Sequence, residues 1–134
     1  MQIVTSETLP IRSESQVVEV RQVVRKATVS LKFSLTDQTK MVTAASEIAR
    51  NTLIYGLGGD VVIEVVEDFD RKGLRLTFID QGPGIADLDQ ALTDGFTSGS
   101  GLGLGLSGSK RLVHDFEILT KVGEGTKIIL TRWK

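Results

Sequence analysis

Val17, Val20, Val24, Ala27 and Leu31 recur at steps of three and four, the spacing that puts side chains on one face of a helix. Ser13 opens S-E-S-Q just before them, and Gln16 stands where a capping box needs its amide. Before it, a loosely alternating stretch ending near Pro10 suits an edge strand. A second stripe, Met41, Ala45, Ile48, Thr52 and Tyr55, predicts another helix, capped by Thr36 or Asp37 and stopped by Gly56, Gly58 and Gly59. The period then changes. VVIEVV (61–66) and LRLTFID (74–80), joined by the polar DFDRKG, predict a hairpin, as do FEILTKV and TKIILTRW around GEG. Between the hairpins the pattern predicts a short helix at about 87–92, then a glycine-rich segment, then a helix in LSGSKRLVHDF. The elements imply an α+β two-layer sandwich, a mixed, mostly antiparallel sheet covered on one face by helices, in a single domain spanning 1–134.

Composition narrows the function classes. Sixteen basic and seventeen acidic residues give a net charge of −1, so no electrostatic argument points to nucleic acid or to an anionic membrane. With no cysteine, disulfides, thiolate metal sites and a cysteine nucleophile are excluded. Nothing approaches the roughly 20 apolar residues of a membrane span or the apolar core of a signal peptide, so a cytoplasmic protein is expected.

The unusual stretch is TSGSGLGLGL (97–106), with glycine at every second position from Gly99 to Gly105. Gly103, Gly105 and Gly108 spell G-x-G-x-x-G, but the match comes late, no βαβ unit follows and no acidic residue stands about 20 residues on in a suitable strand, so a dinucleotide fold is not indicated. A P-loop needs G-K-[ST]; here Ser109 and Lys110 follow Gly108. What remains is the general device of glycine backbone leading into a helix N-terminus, which suits a polyphosphate. Asp80 shares the parity of Leu74, Leu76 and Phe78, so its carboxylate faces inward at the end of its strand and must find a donor. Adenine's exocyclic amine is one candidate; an Asx turn onto its own backbone is the other. Glu47 and Asn51, four apart in E-I-A-R-N, lie on one helix surface at the edge of the apolar stripe. A carboxylate there can take a hydroxyl proton, and an amide oxygen can ligate a hard cation, although a solvated helix face gives the same pattern. His114 is expected to cap the preceding helix, and Trp133 to pack or anchor the last strand.

The ordered set of an E-x-x-x-N helix, D-x-G-x-G after a strand, and a G-x-G-x-G segment entering a helix resembles the GHKL, or Bergerat-fold, ATP-binding superfamily. That resemblance implies ATP and Mg2+ as cofactors, with Glu47 the general base and Asn51 the magnesium ligand. Asp80 would then be the adenine partner, with Thr126 of G-E-G-T nearby. Gly82, Gly84 and Ile85 would form the base-side turn, and Gly99, Gly101, Leu102, Gly103, Leu104 and Gly105 the phosphate lid. SEIARN, DQGPGI, DGFTSGSGLGLGLSGSKRL and GEGT are most similar to the RsbT-type switch kinases of bacterial stressosomes. That likeness implies a serine/threonine kinase acting on STAS-domain scaffold and antagonist proteins and releasing a downstream phosphatase or other output enzyme. It also leaves a nucleotide-gated, anti-sigma-factor-like binding module as the alternative. Tyr55-Gly56 departs from the His-Gly of many superfamily members.

Overall fold

The computed structural model describes residues 1–86, 92 and 106–134. The chain runs β1 (Gln2–Ile11), α1 (Glu14–Ser30), α2 (Leu35–Ile54), β2 (Gly59–Asp68), β3 (Arg71–Asp80), α3 (Leu106–Arg111), β4 (Asp115–Lys121) and β5 (Gly125–Trp133). The strands form one sheet in the order β1-β2-β3-β5-β4, and every pairing is antiparallel.

Period-2 alternation divides the sheet into two faces. Leu9, Ile11, Val61, Ile63, Leu74, Leu76, Phe78, Ile128 and Leu130 point to one side and are buried. Against them pack Val17, Val20 and Val24 of α1 and Met41, Ala45 and Ile48 of α2, in a single apolar cluster. The helical stripes therefore bury as their spacing predicts, which at about 25 cal/mol per Å² of apolar surface is the main stabilising term. α1 begins where the capping box places it: Ser13 Oγ accepts the Gln16 N–H at 3.3 Å, and Gln16 Oε1 accepts the Arg12 N–H at 2.7 Å.

Three local expectations are corrected. The cap of α2 is Ser34, not Thr36 or Asp37: Ser34 Oγ accepts the Asp37 N–H at 3.1 Å, and the buried Phe33 just ahead fixes the chain entry. Asp37 thus sits in the first turn, its carboxylate free to accept Arg132 Nη2 at 2.6 Å. The first hairpin is tighter than DFDRKG suggests, because Asp68 pairs with Arg71 and Phe69 adopts a left-handed φ of 56°, so both strands run almost to the tip. His114 does not cap α3, which ends at Arg111; its Nδ1 accepts the Trp133 N–H at 2.8 Å and joins the start of β4 to the end of β5. Trp133 does anchor the last strand, donating to Asp115 Oδ2 at 3.0 Å with Arg71 stacked 4.0 Å from its ring. The helix expected at 87–92 lies, apart from residue 92, outside the described residues.

The connection between β3 and β5 is what builds a site. Asp80, last residue of β3, lies directly opposite Thr126 of β5, while Gly59 of β2 flanks it on the other side. The C-terminal end of α2 lies above that end of the sheet.

Candidate nucleotide site

At this end of the sheet a small cavity of about 50 Å³ opens between α2, the loop after β3, the start of α3 and β5. Asn51, Tyr55 and Gly56 line it from the end of α2 and the turn after it, Asp80, Gly84 and Ile85 from β3 and its loop, and Thr126 and Ile128 from β5. Three residues placed far apart in the chain, Asn51, Asp80 and Thr126, therefore line one space.

Asn51 is buried by the helical stripe on which it borders, and its carbonyl oxygen accepts the Tyr55 and Gly56 N–H groups, closing the last turn of α2. Glu47, one turn earlier, is half-buried and does not line the cavity. The helix holds the two on the same surface four residues apart, so a group bound over Asn51 is within reach of the Glu47 carboxylate.

Asp80 is half-buried, and burial pushes its carboxyl above the usual carboxylate value, against the lowering effect of the Gly82 and Thr126 backbone N–H groups. Its Oδ1 accepts the Gly82 N–H at 3.0 Å, so the Asx turn left open by the sequence does form. Two backbone donors do not satisfy a carboxylate with about four acceptor positions, and the remaining deficit is what a donor in the cavity would relieve. Asx turn and ligand contact are compatible.

The loop after Asp80 is held close to its neighbours. Gly84 has φ +76°, and a Cβ there would collide with the Lys121 carbonyl. Gly123 N–H donates to Pro83 O at 2.8 Å, and the Ile85 N–H donates to Thr120 Oγ1 at 2.9 Å. Gly82 does not line the cavity but packs against the Gly56 backbone, so G-P-G forms the wall that holds Asp80 in place. The expected lid residues Gly99, Gly101, Leu102, Gly103, Leu104 and Gly105 lie outside the described residues.

Several contributors were not singled out as site residues from sequence. Thr52, Tyr55 and Gly56 appear in the helical pattern as stripe and stop signal; their role follows from the stripe running past the sheet edge into the cavity. Thr120 shares the parity of Phe116 and Ile118, which is the signal that it points inward. A larger open hollow of about 830 Å³ lies on the helix-free face of the sheet, floored by the Glu64–Arg75 ion pair and by Thr77 and Ile129. It gathers strand side chains from the middle of the sheet, none of them from the three motifs. No cluster of three His, Cys, Asp or Glu that could hold a metal occurs among the described residues.

Residues 36–134 match the family of histidine kinase-, DNA gyrase B-, and HSP90-like ATPases. The chain is 42% identical over 123 residues to serine/threonine-protein kinase RsbT of Bacillus subtilis (strain 168), covering 92% of each. It is 28% identical over 99 residues to the anti-sigma F factor of Clostridium novyi (strain NT), covering 70% of this chain and 69% of that one. Among solved structures, the RsbU and RsbW domains of Rv1364c from Mycobacterium tuberculosis share the fold. The TM-score is 0.66 at 20% identity, over 98% of this chain and 33% of that chain.

Proposed function

The chain belongs to the family of histidine kinase-, DNA gyrase B-, and HSP90-like ATPases, and on that premise we propose that it is a protein serine/threonine kinase that uses ATP in partner switching. The observation that carries the reading is the convergence of Asn51, Asp80 and Thr126 on one cavity beneath the end of α2. Adenine presents an amine donor next to a ring-nitrogen acceptor; Asp80 takes the first, and Thr126, opposite it across the strand pair, faces the second.

Asn51 is the group suited to Mg2+. That ion takes oxygen ligands and commonly uses only one or two from the protein together with phosphates, so a buried amide suits it, and no cluster of three His, Cys, Asp or Glu competes for it among the described residues. Bound there, magnesium would supply charge neutralisation on the phosphates. Glu47 orients the acceptor hydroxyl and takes its proton, and the backbone amides of Gly99 to Gly105 receive the transferred group's charge. A carboxylate is a weak base for a serine hydroxyl, so most of the rate enhancement falls to positioning and charge stabilisation.

STAS-domain scaffold and antagonist proteins are the substrates this reading assigns, with a phosphatase or other output enzyme as the released partner, in the cytoplasm. Support comes from the 42% identity to a serine/threonine-protein kinase over nearly the full length of both chains. No described helix is long and apolar enough to cross a membrane. Incubation with γ-labelled ATP and purified STAS-domain proteins tests the reading. Acid-stable label on serine or threonine is the expected result. ATP binding without any transfer would favour the nucleotide-gated binder instead, the reading that the anti-sigma F relatives support.

A further inference from the structure

Thr120 lies outside the cavity lining, yet its hydroxyl stands at the centre of three contacts. It accepts the Ile85 N–H at 2.9 Å, lies 2.8 Å from Thr126 Oγ1, and lies 3.3 Å from the Gly125 carbonyl oxygen. A hydroxyl has one proton and two lone pairs. Ile85 N–H can only donate and Gly125 O can only accept. All three contacts are satisfied together in one way: Thr126 donates to Thr120, and Thr120 donates to Gly125 O. In that arrangement Thr126 turns only lone pairs toward the cavity.

An adenine ring nitrogen is an acceptor and needs the opposite polarity. Thr126 must donate, whether it meets the ring nitrogen itself or a water that gives its two protons to the ring nitrogen and Asp80. We propose that Thr120 is a positioning residue, a hydroxyl relay that reverses direction when the base arrives. Thr126 turns its proton to the base edge, and Thr120 turns its own from Gly125 O to Thr126. The distances favour the exchange. The bond given up is 3.3 Å long, beyond the usual range of about 2.5–3.0 Å for O–H···O, whereas the bond kept is 2.8 Å, near the optimum. Because Thr120 also holds Ile85, the same oxygen ties the base-side wall to the polarity of the base edge. No atom moves by more than a hydroxyl rotation. Thr126 thus stays hydrogen-bonded whether the cavity is empty or filled, avoiding the cost of an orphaned buried hydroxyl.

The inference rests on the adenine reading, and calorimetry separates the two. Mg-ATP and its 1-deaza analogue, in which the ring nitrogen is replaced by C–H, are titrated into wild type, Thr120→Val and Thr120→Ser. Thr120→Val is expected to lose about three- to tenfold in ATP affinity, the range of one hydrogen bond, and to lose little for the analogue. Thr120→Ser is expected to keep the wild-type ratio. Equal losses for both nucleotides, or none, would overturn the relay while leaving the adenine site standing. Wild type that binds neither nucleotide overturns the adenine reading and the relay with it. If Thr120→Val does not fold, Thr120→Ala against Thr120→Ser makes the same comparison, with the loss of ATP preference confined to alanine.

Discussion

Gly56 and Asp80 are packed so closely that a Cβ on Gly56 would lie 2.5 Å from the Asp80 carboxyl carbon and 2.6 Å from Oδ2. The glycine that follows α2 and its cap is therefore also the one that makes room for the carboxylate ending β3. A methyl group there must displace Asp80, and overpacking of this kind costs about 1–3 kcal/mol. Gly56→Ala is expected to lose tenfold or more in ATP affinity by calorimetry, with a smaller loss of stability in urea. Wild-type affinity in that variant would disconnect Asp80 from nucleotide binding.

On the proposed reading, Asp80 trades stability for binding. Its carboxyl is pushed above its ordinary value of 3.8, with burial the leading cause. A carboxylate with a raised folded pKa favours the fold below its unfolded pKa and loses that contribution as pH rises through the folded value. Asp80→Asn keeps an acceptor for the Gly82 N–H and removes the buried charge, so at neutral pH it is expected to melt at the same temperature as wild type or higher. It is also expected to lose most ATP affinity. In wild type, affinity should fall as the pH is lowered through the raised pKa, because adenine's amine needs the ionised acceptor. An Asp80→Asn protein that binds ATP normally would remove Asp80 from the site.

The parts of this architecture that follow a single period were legible in the sequence. Val17, Val20 and Val24 and the stripe from Met41 to Ile48 bury as their spacing predicts, and Asp80 faces inward because it shares parity with Phe78. What the sequence did not show depends on partners distant in the chain. Ser34 takes the cap of α2, and Asp37 is drawn to Arg132, 95 residues away. His114 follows a helix in sequence but bonds to Trp133 across the sheet. Gly56 carries two roles, and only the helix-stop is local; the close approach to Asp80 appears when β3 lies beneath α2.

The Asp37–Arg132 pair ties the first turn of α2 to β5 and, through Arg132 Nη1 to Leu112 O at 2.9 Å, to the residue after α3. Arg132 Nε is buried without a partner among the described residues, so the guanidinium depends on those two acceptors. The hydrogen bond from Arg132 holds the Asp37 carboxyl below its ordinary value of 3.8. A depressed folded pKa gives stability that is present above the unfolded pKa and lost as pH falls through the folded one. Asp37→Asn is expected to cost about 1–2 kcal/mol in urea at pH 7, the scale of a charge-assisted bond at a partly exposed site. That deficit should shrink as both proteins are titrated below pH 4. A deficit independent of pH would mean that the ion pair is not its source.

As the proposed base, Glu47 is expected to separate catalysis from binding. It is half-buried on α2, one turn before Asn51, and lies outside the cavity that Asp80 and Thr126 share, so its loss should leave the base contacts intact. Glu47→Gln preserves the size and helix propensity of the side chain and removes only the ability to take a proton. General-base contributions are typically about 10²–10⁴-fold, so phosphotransfer to a protein hydroxyl should drop by that factor. ATP affinity should stay within about threefold of wild type, because the interaction lost is one made in the transition state rather than in the ground state. Single-turnover transfer and calorimetry on the same preparation read the two quantities. A variant that transfers at the wild-type rate would place the base elsewhere. One that fails to bind ATP would show Glu47 to hold nucleotide rather than to activate the acceptor.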